Sequence, residues 1–180
     1  MPSGKVIYAM SDGMGSGEEA SRESRAAIDL LFDQFRLGVE RELIYENVNR
    51  LLIARGEKEI YATLDAASID LTTGEAEMVK FGAPPTCLVR GGNVRTLSGE
   101  ALPCGIVDEA RPCIRRIRLK QRDRLVFCTD GVYDLLGKDM EAELKKGSGQ
   151  PLDRMAESLM AAAKGRGQRD DMTVMVVEVA

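Results

Sequence analysis

The sequence predicts an α+β protein of a single domain, with antiparallel sheets and with helices grouped between the runs of strands. Its 180 residues suit one domain, and a mix of 44% hydrophobic and 30% charged residues is typical of globular proteins. The apolar runs fall into neighbouring pairs separated by short turns, which predicts hairpins and hence antiparallel sheets. Helical patterns do not alternate with single strands, as they would in a doubly wound parallel sheet.

One strand and two helices are predicted in the first third of the chain. Residues 6–10 form a short apolar run, which predicts a buried strand that ends before an Asp-Gly pair. Residues 18–37 and 41–55 carry apolar side chains at helical spacing, which predicts two amphipathic helices. Gly38 and Gly56 follow these helices and are expected to end them.

Three hairpins, one helix and a closing strand are predicted after residue 60. The hairpins pair residues 61–70 with 76–81, 86–90 with 94–97, and 114–119 with 124–129. A helix follows over residues 151–164, where the leading proline suits the first helical turn, and residues 172–179 form the last strand. Residues 145–150 and 165–169 are predicted to be flexible loops.

The bulk composition excludes several classes of protein. The net charge of −4 disfavours nucleic-acid binding, because a phosphate backbone requires a basic surface. No apolar stretch approaches the roughly 20 residues of a membrane helix, so no membrane segment is expected. The sequence therefore predicts a cytoplasmic protein, with the soluble domain of a membrane-tethered protein as the alternative.

The cysteines point to neither a zinc site nor a disulfide framework. No two of them are spaced as C-x-x-C, and their density is low for a chain of this size. Cys128 stands in an apolar run, so we expect it to be a small buried hydrophobic residue.

Acidic tripeptides at the predicted strand ends mark the candidate site. They are Ser11-Asp12-Gly13, Thr129-Asp130-Gly131 and Arg169-Asp170-Asp171. The first two follow an apolar run and the third precedes one, while the chain contains no histidine. Carboxylates without imidazoles or paired thiolates suit Mg²⁺ or Mn²⁺, which prefer oxygen ligands. The set therefore indicates metal-assisted hydrolysis, for which a phosphate ester is the usual substrate.

Two other interpretations of these motifs stay open at this point. A single Asp-Gly pair is ordinary turn chemistry, and only the presence of three acidic sites favours a metal. Residues 13–18 also resemble a dinucleotide-binding glycine loop. That interpretation is disfavoured because the sixth position is Glu18 rather than glycine, and because a second helix rather than a strand follows the first.

Taken together, residues 11–17, 129–131 and 170–174 resemble the metal-dependent serine/threonine protein phosphatases. Within that family the chain is most similar to the phosphatase domain of stage II sporulation protein E and its bacterial relatives. Residues 60–65, 80–85 and 102–106 support this subfamily, and the likeness extends from about Val6 to Val179.

The resemblance implies an αββα sandwich, in which helices flank two antiparallel sheets and a pair of Mn²⁺ or Mg²⁺ ions lies at one edge. It assigns the metal ligands to the carboxylates of Asp12, Asp130 and Asp170 and to the carbonyl of Gly13. Asp171 is assigned a supporting position beside these ligands. No catalytic side chain is implied beyond a metal-activated water, which fits a chain that has no histidine.

The chain departs from the family pattern at its beginning. The family carries a further acidic ligand on a strand upstream of the first Asp-Gly pair, whereas residues 1–11 contain no carboxylate. We therefore expect residues 1–180 to form a single phosphatase domain without the family's first strands, and the second metal position is in doubt. An unpaired sheet edge favours association, so a homodimer is a possible state.

The function predicted from the sequence is that of a phosphoserine protein phosphatase. By resemblance, its partner and substrate is a small phosphoserine regulatory protein of the anti-sigma-factor antagonist type. The alternative is a catalytically impaired module that binds a phosphoprotein and regulates without hydrolysing it.

Overall fold

The computed structural model describes residues 4–15, 17–55, 61–167 and 170–180. Its elements in chain order are β1 (Lys5–Gly13), α1 (Glu18–Leu37), α2 (Arg41–Arg55), β2 (Ala62–Asp70), β3 (Glu75–Phe81), β4 (Thr86–Arg90), β5 (Asn93–Leu97), β6 (Cys113–Arg118), β7 (Arg124–Cys128), α3 (Asp130–Leu136), α4 (Met140–Gly147), α5 (Leu152–Lys164) and β8 (Val174–Glu178). The chain divides into two compact units. The first unit comprises Met1–Ala83 and Gly99–Arg118, and the second comprises Pro84–Ser98 and Leu119–Ala180.

The first unit is a four-stranded antiparallel sheet with α1 and α2 packed on one face. The strand order is β1-β2-β3-β6, so β1 and β6 are its edge strands in the part of the chain that the structure describes. Successive side chains of β2 alternate, so that Leu64 joins the core beneath the helices while Asp65 points to the opposite face. Leu31 of α1, Leu52 of α2 and Phe81 of β3 complete this core and are fully buried.

Glu77 links α2 to this sheet through Arg41, and it also binds Arg116 of the neighbouring strand. Its buried carboxylate on β3 accepts hydrogen bonds from Arg41 Nη1 at 2.8 Å and from Arg116 Nε at 2.9 Å. Arg41 is the first residue of α2, and Arg116 lies on β6. Burial acts to raise the pKa of Glu77, but the hydrogen bonds and charges of Arg41 and Arg116 outweigh it and hold the pKa below its ordinary value of 4.5.

Glu77→Gln is expected to lower the free energy of unfolding by about 1.5–3 kcal/mol at neutral pH, because hydrogen bonds to a charged group are lost. The pKa of Glu77 is lower in the folded state, so its stabilising contribution is complete above pH 4.5 and is lost as the pH falls through the folded-state pKa. Urea denaturation between pH 3 and 7 measures this. The two curves should converge at low pH, whereas Glu157→Gln, at an exposed i,i+3 pair with Arg154, should follow the parent at every pH.

The second unit is also a four-stranded antiparallel sheet, with the order β5-β4-β7-β8. Its core lies between this sheet and α3, α4 and α5, and α5 contacts β8 directly. The buried side chains include Val126, Val132, Leu136, Leu144, Met155 and Leu159. The strand β7 supplies only apolar side chains and Cys128 between Leu125 and its end, which is why it occupies a central position in the sheet.

Helices α3 and α4 were not predicted from the sequence. Their buried residues recur every four positions, at Val132, Leu136, Met140 and Leu144, which is a helical pattern. Gly137 interrupts it with a φ of +49°, and a single 3-10 turn over Gly137–Asp139 joins the two helices. This interruption divides the pattern into two short segments, to which the sequence analysis assigned no element.

The predicted flexible loops agree with the structure only in part. The loop predicted over residues 145–150 was wrong in its first half, because α4 continues to Gly147. Of the loop predicted over residues 165–169, residues 165–167 follow α5, while Gln168 and Arg169 lie outside the described residues.

Two of the three predicted hairpins are confirmed, and the third was wrong. β2 pairs with β3, and β4 pairs with β5, as predicted. β6 instead pairs with β3 in the first unit, and β7 pairs with β4 and β8 in the second. The short link between β6 and β7 is held by the end of β8, because the Arg122 amide donates to the Val179 carbonyl and the Val179 amide donates to the Asp123 carbonyl.

The predicted α+β class is confirmed by these elements. Two antiparallel sheets, each with its own helices, are the components of the αββα arrangement that the resemblance implies. The remaining predicted elements match the observed ones to within two residues, except that β1 extends three residues further than expected, to Gly13. Within the described ranges, no helix is both long enough and apolar enough to cross a bilayer.

Candidate active site

Asp12 lies within β1 and not beyond its end, so its predicted position was wrong. The ladder between β1 and β2 continues to Gly13, and Asp12 is directly opposite Thr63. Thr63 sustains the pairing, because its hydroxyl accepts a hydrogen bond from the Asp12 amide at 3.1 Å and its carbonyl accepts one from the Ser11 hydroxyl at 2.7 Å. Ser11 and Thr63 therefore fix the backbone that carries the half-buried Asp12.

Gly13 is a steric requirement of the first unit. A Cβ at this position would lie 2.2 Å from the carbonyl oxygen of Ala20 and 2.9 Å from its Cα, within the backbone of α1. No side chain larger than hydrogen fits there unless α1 moves. The glycine that follows Asp12 therefore allows α1 to pack directly against the end of β1, which the contacts between these two elements confirm.

Asp130 and Asp170 lie on segments that the second unit brings into contact. Asp130 is the first residue of α3, and Thr129 precedes it at the end of β7. The Thr129 hydroxyl donates to the Asp171 carbonyl at 3.2 Å and accepts a hydrogen bond from the Thr173 amide at 3.0 Å. The Thr129 amide also donates to the Thr173 carbonyl at 3.1 Å. Thr129 is buried, so these bonds hold the strand end against the acidic segment.

Gly131 shows how close these two segments are. A Cβ on Gly131 would lie 2.3 Å from the carbonyl oxygen of Asp171 and 3.3 Å from the Cβ of Asp170. The carboxylates of Asp130 and Asp170 are exposed, and the Oδ1 atom of each accepts a hydrogen bond of 2.8 Å from the next amide along the chain. Each carboxylate is therefore oriented by its own backbone.

Arg166 attaches the chain before Asp170 to the far end of α3. Its Nη1 atom donates to the carbonyls of Leu135 and Leu136 at 3.1 and 3.3 Å, and its Nη2 atom donates to Asp139 at 2.8 Å. These carbonyls belong to the last turn of α3, where a cation is favourable. Nothing in the local sequence indicates this contact, because Arg166 and Leu136 are 30 positions apart.

The four predicted ligands thus divide between the two units. Asp12 and Gly13 lie in the first unit, and Asp130 and Asp170 lie in the second, where Gly131 packs against the segment that carries Asp170. No group of three or more His, Cys, Asp and Glu side chains that could hold a metal is found in residues 4–15, 17–55, 61–167 and 170–180. The donor chemistry of the Asp130–Asp170 pair fits a hard divalent cation such as Mn²⁺ or Mg²⁺, since carboxylate oxygens are their preferred ligands.

Two buried thiols are unsuited to act as nucleophiles. Cys104 is fully buried, and burial raises the pKa of its thiol to about 12, which keeps it protonated at neutral pH. Cys128 is also buried and packs in the core of the second unit, as the sequence predicted.

Comparison with known protein sequences extends over nearly the whole chain. The family model of stage II sporulation protein E matches residues 2–180. Stage II sporulation protein E of Priestia megaterium is 32% identical over 186 residues, which cover 98% of this chain and 32% of that protein. The chain therefore spans about a third of the length of this curated relative.

Comparison with solved structures gives the same result. The PP2C phosphatase domain of the cell fate determinant SpoIIE from Bacillus subtilis, solved with a fragment of its regulatory domain, matches with a TM-score of 0.86 and 32% identity. The match covers 97% of this chain and 55% of that chain. The catalytic domain of the serine/threonine protein phosphatase PstP, solved with two manganese ions, matches with a TM-score of 0.80 over 97% of this chain and 90% of its own. At 17% identity, that likeness shows the fold alone.

Proposed function

Because the chain belongs to the stage II sporulation protein E family and has the fold of its PP2C-type serine/threonine phosphatase domain, we propose that it releases phosphate from phosphoserine in a protein substrate. The observation that carries the proposal is the close packing of Gly131, which follows Asp130, against the carbonyl oxygen of Asp171 and the Cβ of Asp170, so that two exposed aspartates stand on neighbouring segments. The family resemblance implied this same pair.

We propose that Asp12, Asp130 and Asp170, together with the carbonyl of Gly13, hold Mn²⁺ or Mg²⁺. Such a cation, when bound, would lower the pKa of a water molecule and offset the charge that develops on a phosphoryl group. The protein contributes the orientation of the ligands. Thr63 holds the backbone of Asp12, and Thr129 holds the segment that carries Asp170. These bonds are made by backbone and threonine groups, so they hold the segments that carry the ligands without a contribution from substrate.

The proposed substrate is a small phosphoserine protein of the anti-sigma-factor antagonist type. The sporulation relatives support this class, and the solved structure of the RsbU and RsbW domains of Rv1364c from Mycobacterium tuberculosis shares the fold, with a TM-score of 0.84 at 22% identity. A protein substrate also suits this site, because the candidate carboxylates of the second unit are exposed and can be reached by a phosphoserine on the surface of a folded partner.

Asp130→Asn is expected to reduce Mn²⁺-dependent phosphate release from such a phosphoprotein by at least about a hundredfold, because a bound cation contributes several kcal/mol to the reaction. Release of inorganic phosphate is measured with and without Mn²⁺, and calorimetry measures Mn²⁺ binding directly. Asp134→Asn is the matched control, since it makes the same change at an exposed position of the same helix. Equal rates for the parent and Asp130→Asn would overturn the proposal.

The alternative function is a module that binds a phosphoprotein without hydrolysing it. Binding and phosphate release, measured on the same protein, distinguish it from the enzyme. If the parent binds the phosphoprotein more tightly than the unphosphorylated form but releases no phosphate at saturating Mn²⁺, the binding module is supported and the enzyme is refuted.

A further inference from the structure

A groove of about 720 Å³ lies on the first unit between α2 and the segment that leads into β6. Ala110, Pro112 and Ile114 form its accessible apolar lining, and the buried Tyr45 of α2 also borders it. None of the proposed metal ligands lines it.

Asn49 fixes the segment before β6 against α2. The Asn49 side chain is buried on α2, and its Nδ2 atom donates to the carbonyls of Val107 and Asp108 at 2.9 and 3.1 Å. Its Oδ1 atom accepts a hydrogen bond from the Gly105 amide at 2.8 Å. These bonds attach the segment to α2 at three backbone groups, so the groove is formed before any partner arrives. A preformed site lowers the entropic cost of binding.

Ile114 of β6 supplies an exposed apolar side chain to the groove, at 39% exposure. Val107 and Leu43 are also exposed apolar residues, and each is next in sequence to a residue that lines the groove. An apolar patch with polar surroundings is typical of a protein-binding surface.

The charges at the groove are predominantly acidic. Four of the lining residues are carboxylates, namely Glu42, Glu46, Asp108 and Glu109, against the two cations Arg50 and Arg111. Arg50 already pairs with Glu46 at 2.5 Å on the same helix. The groove therefore has a local charge of −2 at neutral pH, with three carboxylates outside that pair. A partner that is buried here needs cationic groups at its edges.

We propose that this groove binds a basic, amphipathic helical segment of a partner protein, with the apolar face of the segment on Pro112 and Ile114 and its lysines or arginines beside Glu42 and Glu109. An apolar lining selects one face of the segment, and the acidic rim excludes acidic segments and nucleic acid. The proposal does not rest on phosphatase activity, because it concerns only residues on α2, on β6 and in the segment before β6.

The probe is a fluorescent peptide of about 14 residues, or four helical turns, made of leucine and lysine in amphipathic order. Its counterpart carries glutamate in place of every lysine. Fluorescence anisotropy should show binding of the basic peptide that weakens as salt is added. The acidic counterpart should not bind.

Glu42→Lys combined with Glu109→Lys should raise the Kd of the basic peptide at least about tenfold, because attraction becomes repulsion at two positions. Ile114→Ser should raise the Kd without changing the net charge. Glu42, Glu109 and Ile114 are all exposed, so these variants are expected to remain folded. Asp29→Lys, at an exposed position of α1, makes the same charge change as Glu42→Lys or Glu109→Lys alone, and it should leave the Kd within about twofold while each of those single variants raises it.

The proposal is overturned by any of three results. Equal binding of the two peptides would show that charge does not select the ligand. An equal loss for Asp29→Lys and the groove variants would show attraction by the whole protein rather than by the groove. Self-association of the chain in sedimentation, abolished by Ile114→Ser, would assign the groove to a second copy instead.

Discussion

Gly131→Ala is expected to lower the free energy of unfolding by about 3 kcal/mol, which is the upper part of the range for overpacking. The added methyl carbon would lie 2.3 Å from the Asp171 carbonyl oxygen, which is backbone and cannot rotate away. Relief requires that α3 and the Asp170 segment separate. Because Asp130 begins α3, the same movement would separate the two carboxylates, and phosphate release is expected to fall to background.

Urea denaturation and Mn²⁺-dependent phosphate release measure the two effects of Gly131→Ala. A loss of about 3 kcal/mol corresponds to a decrease in Tm of roughly 6–12 °C for a chain of this size. Gly149→Ala is the matched control, since nothing lies within 4 Å of a Cβ at that position. If Gly131→Ala retained the stability and activity of the control, the close packing of α3 on the Asp170 segment would be refuted.

The sequence predicted most of the fold because the signals for its elements are local. Alternation and short turns defined the β2–β3 and β4–β5 hairpins, and helical spacing defined α1, α2 and α5. The incorrect hairpin between β6 and β7 shows the limit of local signals. Its link is short enough for a hairpin, but the bonds that hold the link come from Val179, more than 50 positions away. No short-range pattern reports a contact of that kind.

The sequence pointed to the candidate ligands, but it did not reveal the residues that support them. The Asp-Gly pairs stand out in the sequence, and the structure shows why glycine follows each aspartate, since Ala20 and Asp171 leave no space for a side chain. Thr129 and Arg166 were not recognised as supports, because their partners are distant in sequence. Asp12 was placed beyond its strand because apolar character ends at Met10, whereas the pairing continues through polar residues held by Thr63.

The largest loss of stability is expected where two stretches that support the family resemblance meet. Asp65 on β2 and Lys80 on β3 are directly opposite in the sheet, and their side chains form an ion pair. They are 2% and 3% exposed, and they lie on the face away from the core of α1 and α2. Burying two charges is costly, and their mutual attraction and hydrogen bonding offset this cost.

Lys80→Met should therefore lower the free energy of unfolding by about 3–5 kcal/mol, because it retains the apolar stem but removes the cation beside a buried carboxylate. The same substitution at the exposed Lys164 of α5 should change it by less than about 0.5 kcal/mol. Adding Asp65→Asn to Lys80→Met should restore part of the loss, since the uncompensated charge is then gone. Urea denaturation of the single and double variants measures this coupling. Strictly additive losses would show that the two side chains are stabilised independently, and that the register of β2 and β3 does not depend on their pairing.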